Sequence, residues 1–347
     1  EGIRQAYALA RAQYDAAAAW LEQAQGLVAA GAASASEQSV LERLARVRRG
    51  QGRYADAVAL SEAAVALARS GYDEAALAQS LALLGQVLEA LNAAGIKPVL
   101  IKGTVLAYTL YPSPALRTRA DSDLIIAPQD RFKTSEILKA NGFVGQAVSC
   151  EFLSYEASFT HDEAGVSHML DLHWRIHYSQ FQSRLFTYET LLQRARPLPT
   201  LCPAALGVDP VYALLIACLH RANDLRMPQW INDKARYGQE RLIWLYDFHL
   251  LIESMTPQQL NEFTALAEQK GLREICWDGI EKARACFNTV LPQSLTEALS
   301  RTGPPELIIR YQRSGMLRQR WMDWMALEGL SNRIAYLFEH VFPPADY

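Results

Sequence analysis

Apolar and polar positions follow three successive rhythms along this chain. From Glu1 to about Gly95 the apolar residues recur at helical spacing in an Ala-, Leu- and Glu-rich background. Leu84, Val87, Leu88 and Leu91 make one such stripe, and Gly95 stands where the helix must stop. "GAASAS" at 31–36 interrupts the helical run, with Ser36 placed to cap the next helix. The stretch 52–71 has the texture of half a tetratricopeptide repeat. No second copy follows at a fixed period, so a helical bundle is expected rather than a solenoid.

From Ile96 the runs shorten. "KPVLI" predicts a strand, Gly103-Thr104 opens a helix through "VLAYTLY", and Pro112 ends it. "DSDLII" is a second strand, and Pro128 opens a helix that Asn141-Gly142 closes after Ala140. "FVGQAV" and "CEFLSYEASFT" predict strands, "HDEAG" a turn and "VSHMLDLHW" another strand. The Pro-rich "RARPLPTLCPAALGVDP" reads as a connection, with Asp209-Pro210 capping the helix that follows it. Then the helical rhythm returns in "VYALLIACLHRAND", "RLIWLYDFHLLIES" and "TPQQLNEFTALAEQKG". The expectation is an α+β fold, a small mixed-sheet core between helical regions, divided 1–80, 81–200 and 201–347.

Composition narrows the classes. A chain of 347 residues, half hydrophobic and one-fifth charged, is ordinary for a globular protein of two or three domains. Its net charge of -3 supplies no global attraction for nucleic acid or acidic membranes, and DNA is not an expected partner. Apolar runs such as "VYALLIACL" fall short of the roughly 18 residues a membrane span needs. The first residues lack the charged-then-apolar pattern of a secretory leader. Cys150, Cys202, Cys218, Cys276 and Cys286 are scattered, which predicts free thiols and a cytoplasmic setting.

Against this background the two aspartates of "DSDLII" stand out. Residues two apart in a strand share a face, so Asp121 and Asp123 project together. Asp171 and His173 share a face of a later strand by the same rule. If those strands are neighbours, three carboxylates converge, and their mutual repulsion calls for a cation. Hard oxygen donors favour Mg2+ or Mn2+ over zinc. Upstream, Gly103 and Thr104 sit where a strand passes into a helix, a place where bare N–H groups bind phosphate, and Lys102 adds positive charge. A phosphate cradle beside metal carboxylates is the equipment for displacement at a nucleotide phosphate.

This order of parts resembles the polymerase-β-like nucleotidyltransferases: a Gly-hydroxyl turn, an Asp-x-Asp strand, then a third acid on a later strand. "LIKGTVLAYTLYP", "LRTRADSDLII", "DLHW" and "RLIWLYDFHLLI" are similar to a bacterial group labelled "nucleotidyltransferase family protein", over roughly residues 81–253. The resemblance implies transfer of a nucleoside monophosphate from an NTP with release of pyrophosphate. It implies Asp121, Asp123 and Asp171 as catalytic metal ligands, with Asp171 also drawing the acceptor's proton. Lys102, Gly103, Thr104 and Arg117 are implied to receive the triphosphate, and Arg119 stands beside them. Thr104 and Ser122 depart from the commoner residues at those places. The acceptor is left open among a small molecule, RNA and protein. The alternatives are a non-catalytic nucleotide-binding scaffold and a toxin-like transferase modifying RNA or protein.

Other polar and aromatic positions carry plainer expectations. His173, His220, Asn223 and Asp247 read as hydrogen-bonded buried groups, with Asp247 also a candidate to line the site. Arg43, Arg46, Arg48, Arg49 and Arg53 read as a solvated face balanced by acids. Trp230, Trp244, Trp277, Trp321 and Trp324 read as helix core.

Overall fold

The computed structural model describes residues 74–344 except 118, 120, 148, 164–165, 227–228 and 232–233, and scattered positions between 15 and 60. Contacts divide the chain into Glu1–Ala75 and Ala76–Tyr347. In the first unit Arg48 meets Glu22, and Arg53 meets Asp56 at 2.5 Å, so these two arginines of the basic run are paired with acids. Arg43, Arg46, Arg49 and Ser36 lie outside the described residues, as does most of 52–71.

The second unit opens with α1 (Glu74–Ala93), whose Leu84, Val87, Leu88 and Leu91 are all buried. Gly95 follows at φ +80°, and Ile96 N–H returns to Leu91 O at 2.9 Å, closing the helix as its sequence predicts. Then come β1 (Val99–Leu100), α2 (Lys102–Leu110), β2 (Asp121–Ile125) and α3 (Arg131–Ala140). Next are β3 (Glu156–Glu163), β4 (Val166–His173), the short helices α4 (Gln180–Ser183) and α5 (Tyr188–Gln193), then β5 (Ala195–Pro197) and β6 (Leu206–Val208). The six strands form one mixed sheet in the order β3-β4-β2-β1-β6-β5. β2–β4 and β1–β6 are parallel, and the other neighbours are antiparallel.

After the sheet the chain is mainly helical. α6 (Pro210–Arg226) starts where Asp209 Oδ1 accepts Tyr212 N–H at 3.0 Å, as the Asp-Pro pair predicts. A small ribbon of β7 (Gln229–Ile231) and β8 (Lys234–Arg236) precedes α7 (Leu242–Ser254), α8 (Pro257–Gln269) and α9 (Arg273–Phe287). The last helices are α10 (Gln293–Leu299), α11 (Leu307–Gln312), α12 (Met316–Ala326) and α13 (Leu330–Val341). The fold is therefore α+β, a mixed sheet flanked by helices. No helix among the described residues is long and apolar enough to cross a membrane.

Five expectations change. First, the Pro-rich connection of 194–210 carries β5 and β6 as strands of the sheet. "FVGQAV" makes a single bridge, Val144 to Thr160, with Gly145 packed so closely that a β-carbon there would lie 2.6 Å from Ser158 O. Cys150–Tyr155 is loop, since the N–H groups of Glu151 and Phe152 bond the Glu339 carboxylate of α13, each at 2.8 Å, and not another strand. His161, Asp162 and Glu163 belong to β3 and not to a turn, because their ladder continues to His168, Ser167 and Val166 on the sheet's edge. Trp321 is 58% exposed, stacked on Trp324, while Trp244 is buried as expected.

Candidate functional site

The parallel register of β2 and β4 sets Asp123 directly opposite Asp171 and Asp121 opposite Met169. Cross-strand partners lie on one face, so the three carboxylates stand on the same side of the sheet. Beneath them Leu124 and Leu172 are fully buried on the other side. Alternation alone thus separates the polar floor of the site from the core.

Asp123 is the deepest of the three at 4% exposure. Lys102 Nζ lies 2.5 Å from its Oδ1, and His173 Nε2 lies 2.9 Å from the same oxygen. Burial opposes its ionised form, but Lys102 and His173 outweigh burial and hold the carboxyl well below its usual range. Lys102 is driven the other way: burial opposes its charge, and Asp123 more than restores it. His173 is fully buried, with Glu156 3.0 Å from Nδ1 in a contact whose geometry makes no hydrogen bond. It is the bonded strand histidine that its position suggested.

Asp121 differs. Burial pushes its carboxyl up, and Asp123 and Asp171 push it further, against a smaller opposing pull from Lys102. Asp171 accepts the Ser158 hydroxyl at 2.6 Å. The donor set of three carboxylates suits a hard divalent cation, and such a cation would relieve the repulsion on Asp121. Among the described residues no group of three His, Cys, Asp or Glu stands as a metal cage, and the positive charge beside Asp123 is the Lys102 ammonium.

Lys102 opens α2 at φ +51°, a left-handed conformation that a lysine adopts at a cost of about 1–2 kcal/mol. It turns the side chain from the end of β1 onto the aspartates. Gly103 follows, and a β-carbon there would lie 2.7 Å from Arg117 Nη1. The guanidinium therefore lies across the start of the helix, in the space that the glycine opens. Arg117 is also bound to Asp247 of α7, with Nη2 2.7 Å from Oδ2, and Tyr111 O–H donates to Oδ1 at 2.8 Å. Burial raises the Asp247 carboxyl, with Arg117 and Tyr111 opposing. Asp247 is thus both a satisfied buried group and a wall of the site. Thr104 is fully buried, its hydroxyl has no hydrogen-bond partner among the described residues, and it lines neither cavity described next.

Two cavities meet over the carboxylates and share Lys102, Asp121 and His220. The smaller, 140 Å³, is bordered by Gly103, Arg117, Arg119, Arg241 and Trp244, with Asp121, Asp123 and Asp247 among its acids. The larger, 340 Å³, reaches from Asp171 to His177, Tyr178 and Asn223. Ser179 N–H donates to His177 Nδ1 at 3.0 Å, which leaves the proton of the neutral ring on Nε2. Burial, with His220 and Lys102 near by, pushes His177 down to about 3. Burial and Lys102 push His220 to about 4. Both rings are neutral near pH 7. Asn223 is tied to Gln182 and Gln312 at 2.7 and 2.8 Å.

His177 and Tyr178 are site residues that sequence periodicity misses, since they lie on a loop. The available signal was their place just after an acidic strand, where ligand-contacting loops concentrate.

A family model described as "Uncharacterised nucleotidyltransferase" matches residues 33–288. No curated protein matches the chain, and no solved structure does.

Proposed function

We propose, for a chain that belongs to the uncharacterised nucleotidyltransferase family and is a nucleotidyltransferase acting on an NTP, a specific division of labour within this site. The smaller, arginine-bordered cavity receives the triphosphate, and the larger one receives the acceptor. Asp121, Asp123 and Asp171 hold Mg2+ or Mn2+. When bound, the ion neutralises the triphosphate and activates the α-phosphorus toward attack.

The observation that carries this reading is the register of β2 and β4. It opposes Asp123 and Asp171 on one face at the junction of the two cavities. Lys102, pivoting on its left-handed backbone, exchanges Asp123 for triphosphate oxygens. Arg117, held by Asp247, and Arg241 set the phosphate chain with forked donors. An acceptor hydroxyl in the larger cavity forms a bond to the α-phosphorus, and the bond from that phosphorus to the β-bridging oxygen breaks. Asp171, oriented by Ser158, takes the hydroxyl proton, and pyrophosphate leaves with the electron pair. His177, with Nε2–H and no charge, donates a hydrogen bond without adding a cation. The cytoplasm, which supplies NTPs and Mg2+, suits five cysteines that are all free thiols.

The test is pyrophosphate release from ATP, GTP, CTP and UTP in a cell extract, with Mg2+ and with EDTA. Label transfer would be sorted by RNase and protease sensitivity. Release that continues in EDTA at the same rate would reject the metal site.

A further inference from the structure

The acceptor cavity ends at Tyr178, and past that ring lies a cleft of 880 Å³. Its far wall is built by α11 and α12, beyond the segment matched by the family model. Three arginines line it: Arg226 at the end of α6, Arg313 just after α11, and Arg320 on α12. Asp323 also borders the cleft, where Arg320 acts on its charge, and its oxygens accept three hydrogen bonds from neutral donors. Ser179 O–H and Phe181 N–H donate to Oδ1 at 2.6 and 3.0 Å, and Tyr311 O–H donates to Oδ2 at 2.9 Å. Arg226 reaches Asp278 only at 3.5 Å, and Arg320 meets His340, which carries no negative charge. Among the described residues Arg313 has no acid within ion-pair distance of its guanidinium. Three guanidinium groups against one lining carboxylate, with Arg226 also paired to Asp278 and Arg320 acting on Asp323, leave the cleft with a net positive lining.

Those same Asp323 bonds fix the cleft to the catalytic floor. β4 carries Asp171, the loop after it carries His177 and Tyr178, and Ser179 is the next residue. The helix that bears Arg320 is therefore fastened to the loop that walls the acceptor cavity.

We infer that this cleft holds the anionic end of a small acceptor, a molecule with a phosphate or carboxylate at one end and the reacting hydroxyl at the other. Its role as acceptor site rests on the nucleotidyl-transfer reading above, whereas its binding of an anion does not. The volume falls within the roughly 300–1,000 Å³ of small-molecule sites. Guanidinium forks match phosphate and carboxylate oxygens, and Tyr178 and Tyr237 offer flat apolar surface beside them. A nucleic-acid strand would call for a basic stripe running on past the cleft, and the chain's net charge is -3. The anionic end sits among the arginines, and the hydroxyl extends past Tyr178 toward Asp171.

The probe is phenyl phosphate, titrated calorimetrically into the full-length chain, with phenol as the uncharged control. Arg313 and Arg320 are exposed, so the R313S/R320S double variant should keep the wild-type melting profile. The expected result is binding of phenyl phosphate and not phenol, weakened about tenfold or more in the double variant through loss of charged hydrogen bonds. R241S, which alters the smaller cavity, should leave this binding within about twofold. Equal binding of phenol, no binding at millimolar concentration, or a loss confined to R241S would each overturn the proposal. Tighter binding of a short RNA, lost in R313S/R320S, would also overturn it and assign the cleft to nucleic acid. Anion binding without pyrophosphate release would remove the enzymatic reading alone. Pyrophosphate release without anion binding would remove the cleft alone.

Discussion

Replacing Lys102 by Met tests how the site handles its own charge. The substitution keeps the aliphatic stem and removes the ammonium 2.5 Å from Asp123. Breaking one side of a buried ion pair typically costs about 3–5 kcal/mol, because a carboxylate is left without its cation. Two features lower that figure here: the Lys102 side chain is 22% exposed, and His173 stays 2.9 Å from the same oxygen. About 2–3 kcal/mol is expected, a fall in melting temperature of about 4–12 °C at roughly 2–4 °C per kcal/mol. If the proposed metal binds, it would have to displace the ammonium in the wild type. In Lys102→Met the place is vacant, so Mg2+ or Mn2+ should raise the melting temperature more in the variant than in the parent. Turnover should fall all the same, since the triphosphate loses a cationic partner. Thermal melts by circular dichroism, with and without metal and without nucleotide, give both quantities. A variant that melts within about 1 °C of the wild type, or responds to metal no differently, would refute the view that Lys102 holds the place of the cation.

Asp171→Asn keeps the shape and removes the basicity, so pyrophosphate release should drop about 10²–10⁴-fold while NTP affinity, measured by calorimetry, changes little. Asp247→Ala strands the buried Arg117 and the Tyr111 hydroxyl, and urea denaturation should show a loss of about 3–5 kcal/mol. A stabilised or unchanged Asp247→Ala would show the pair to be dispensable. Asp121 has a pKa raised above 3.8, so its contribution to stability is full below that value and is lost as pH climbs through the raised one. Metal binding has the opposite sign, because it needs the ionised carboxylate. Metal-induced stabilisation should therefore fade as pH is lowered through that window, and Asp121→Asn should flatten both trends in a pH series of melts.

Much of this architecture was legible because it depends on local rules. The period-two pattern of "DSDLII" and "VSHMLDLHW" foretold that Asp121 and Asp123 share a face of their strand and that Asp171 and His173 share a face of theirs. Gly95 and Asp209 ended and began helices where their chemistry requires. What was hidden depends on partners far away in the chain. The loop after Cys150 is shaped by Glu339, some 188 residues on, and no local pattern carries that information. β5 and β6 are three residues each inside a Pro-rich stretch, too short to show a period. The resemblance implied Arg117 as a triphosphate contact, but not that Asp247, 130 residues later, would hold it.

That last pairing also bears on how the molecule forms. Asp247 meets Arg117 across 130 positions and Tyr111 across 136, while His173 meets Asp123 across 50. Contacts of such separation close large loops and are made after local helices and hairpins. The smaller cavity is therefore complete only once α7 has docked beside α2. A ligand that bridges these elements can recognise only the finished protein. It will act chiefly by slowing unfolding and leave the rate of folding almost unchanged.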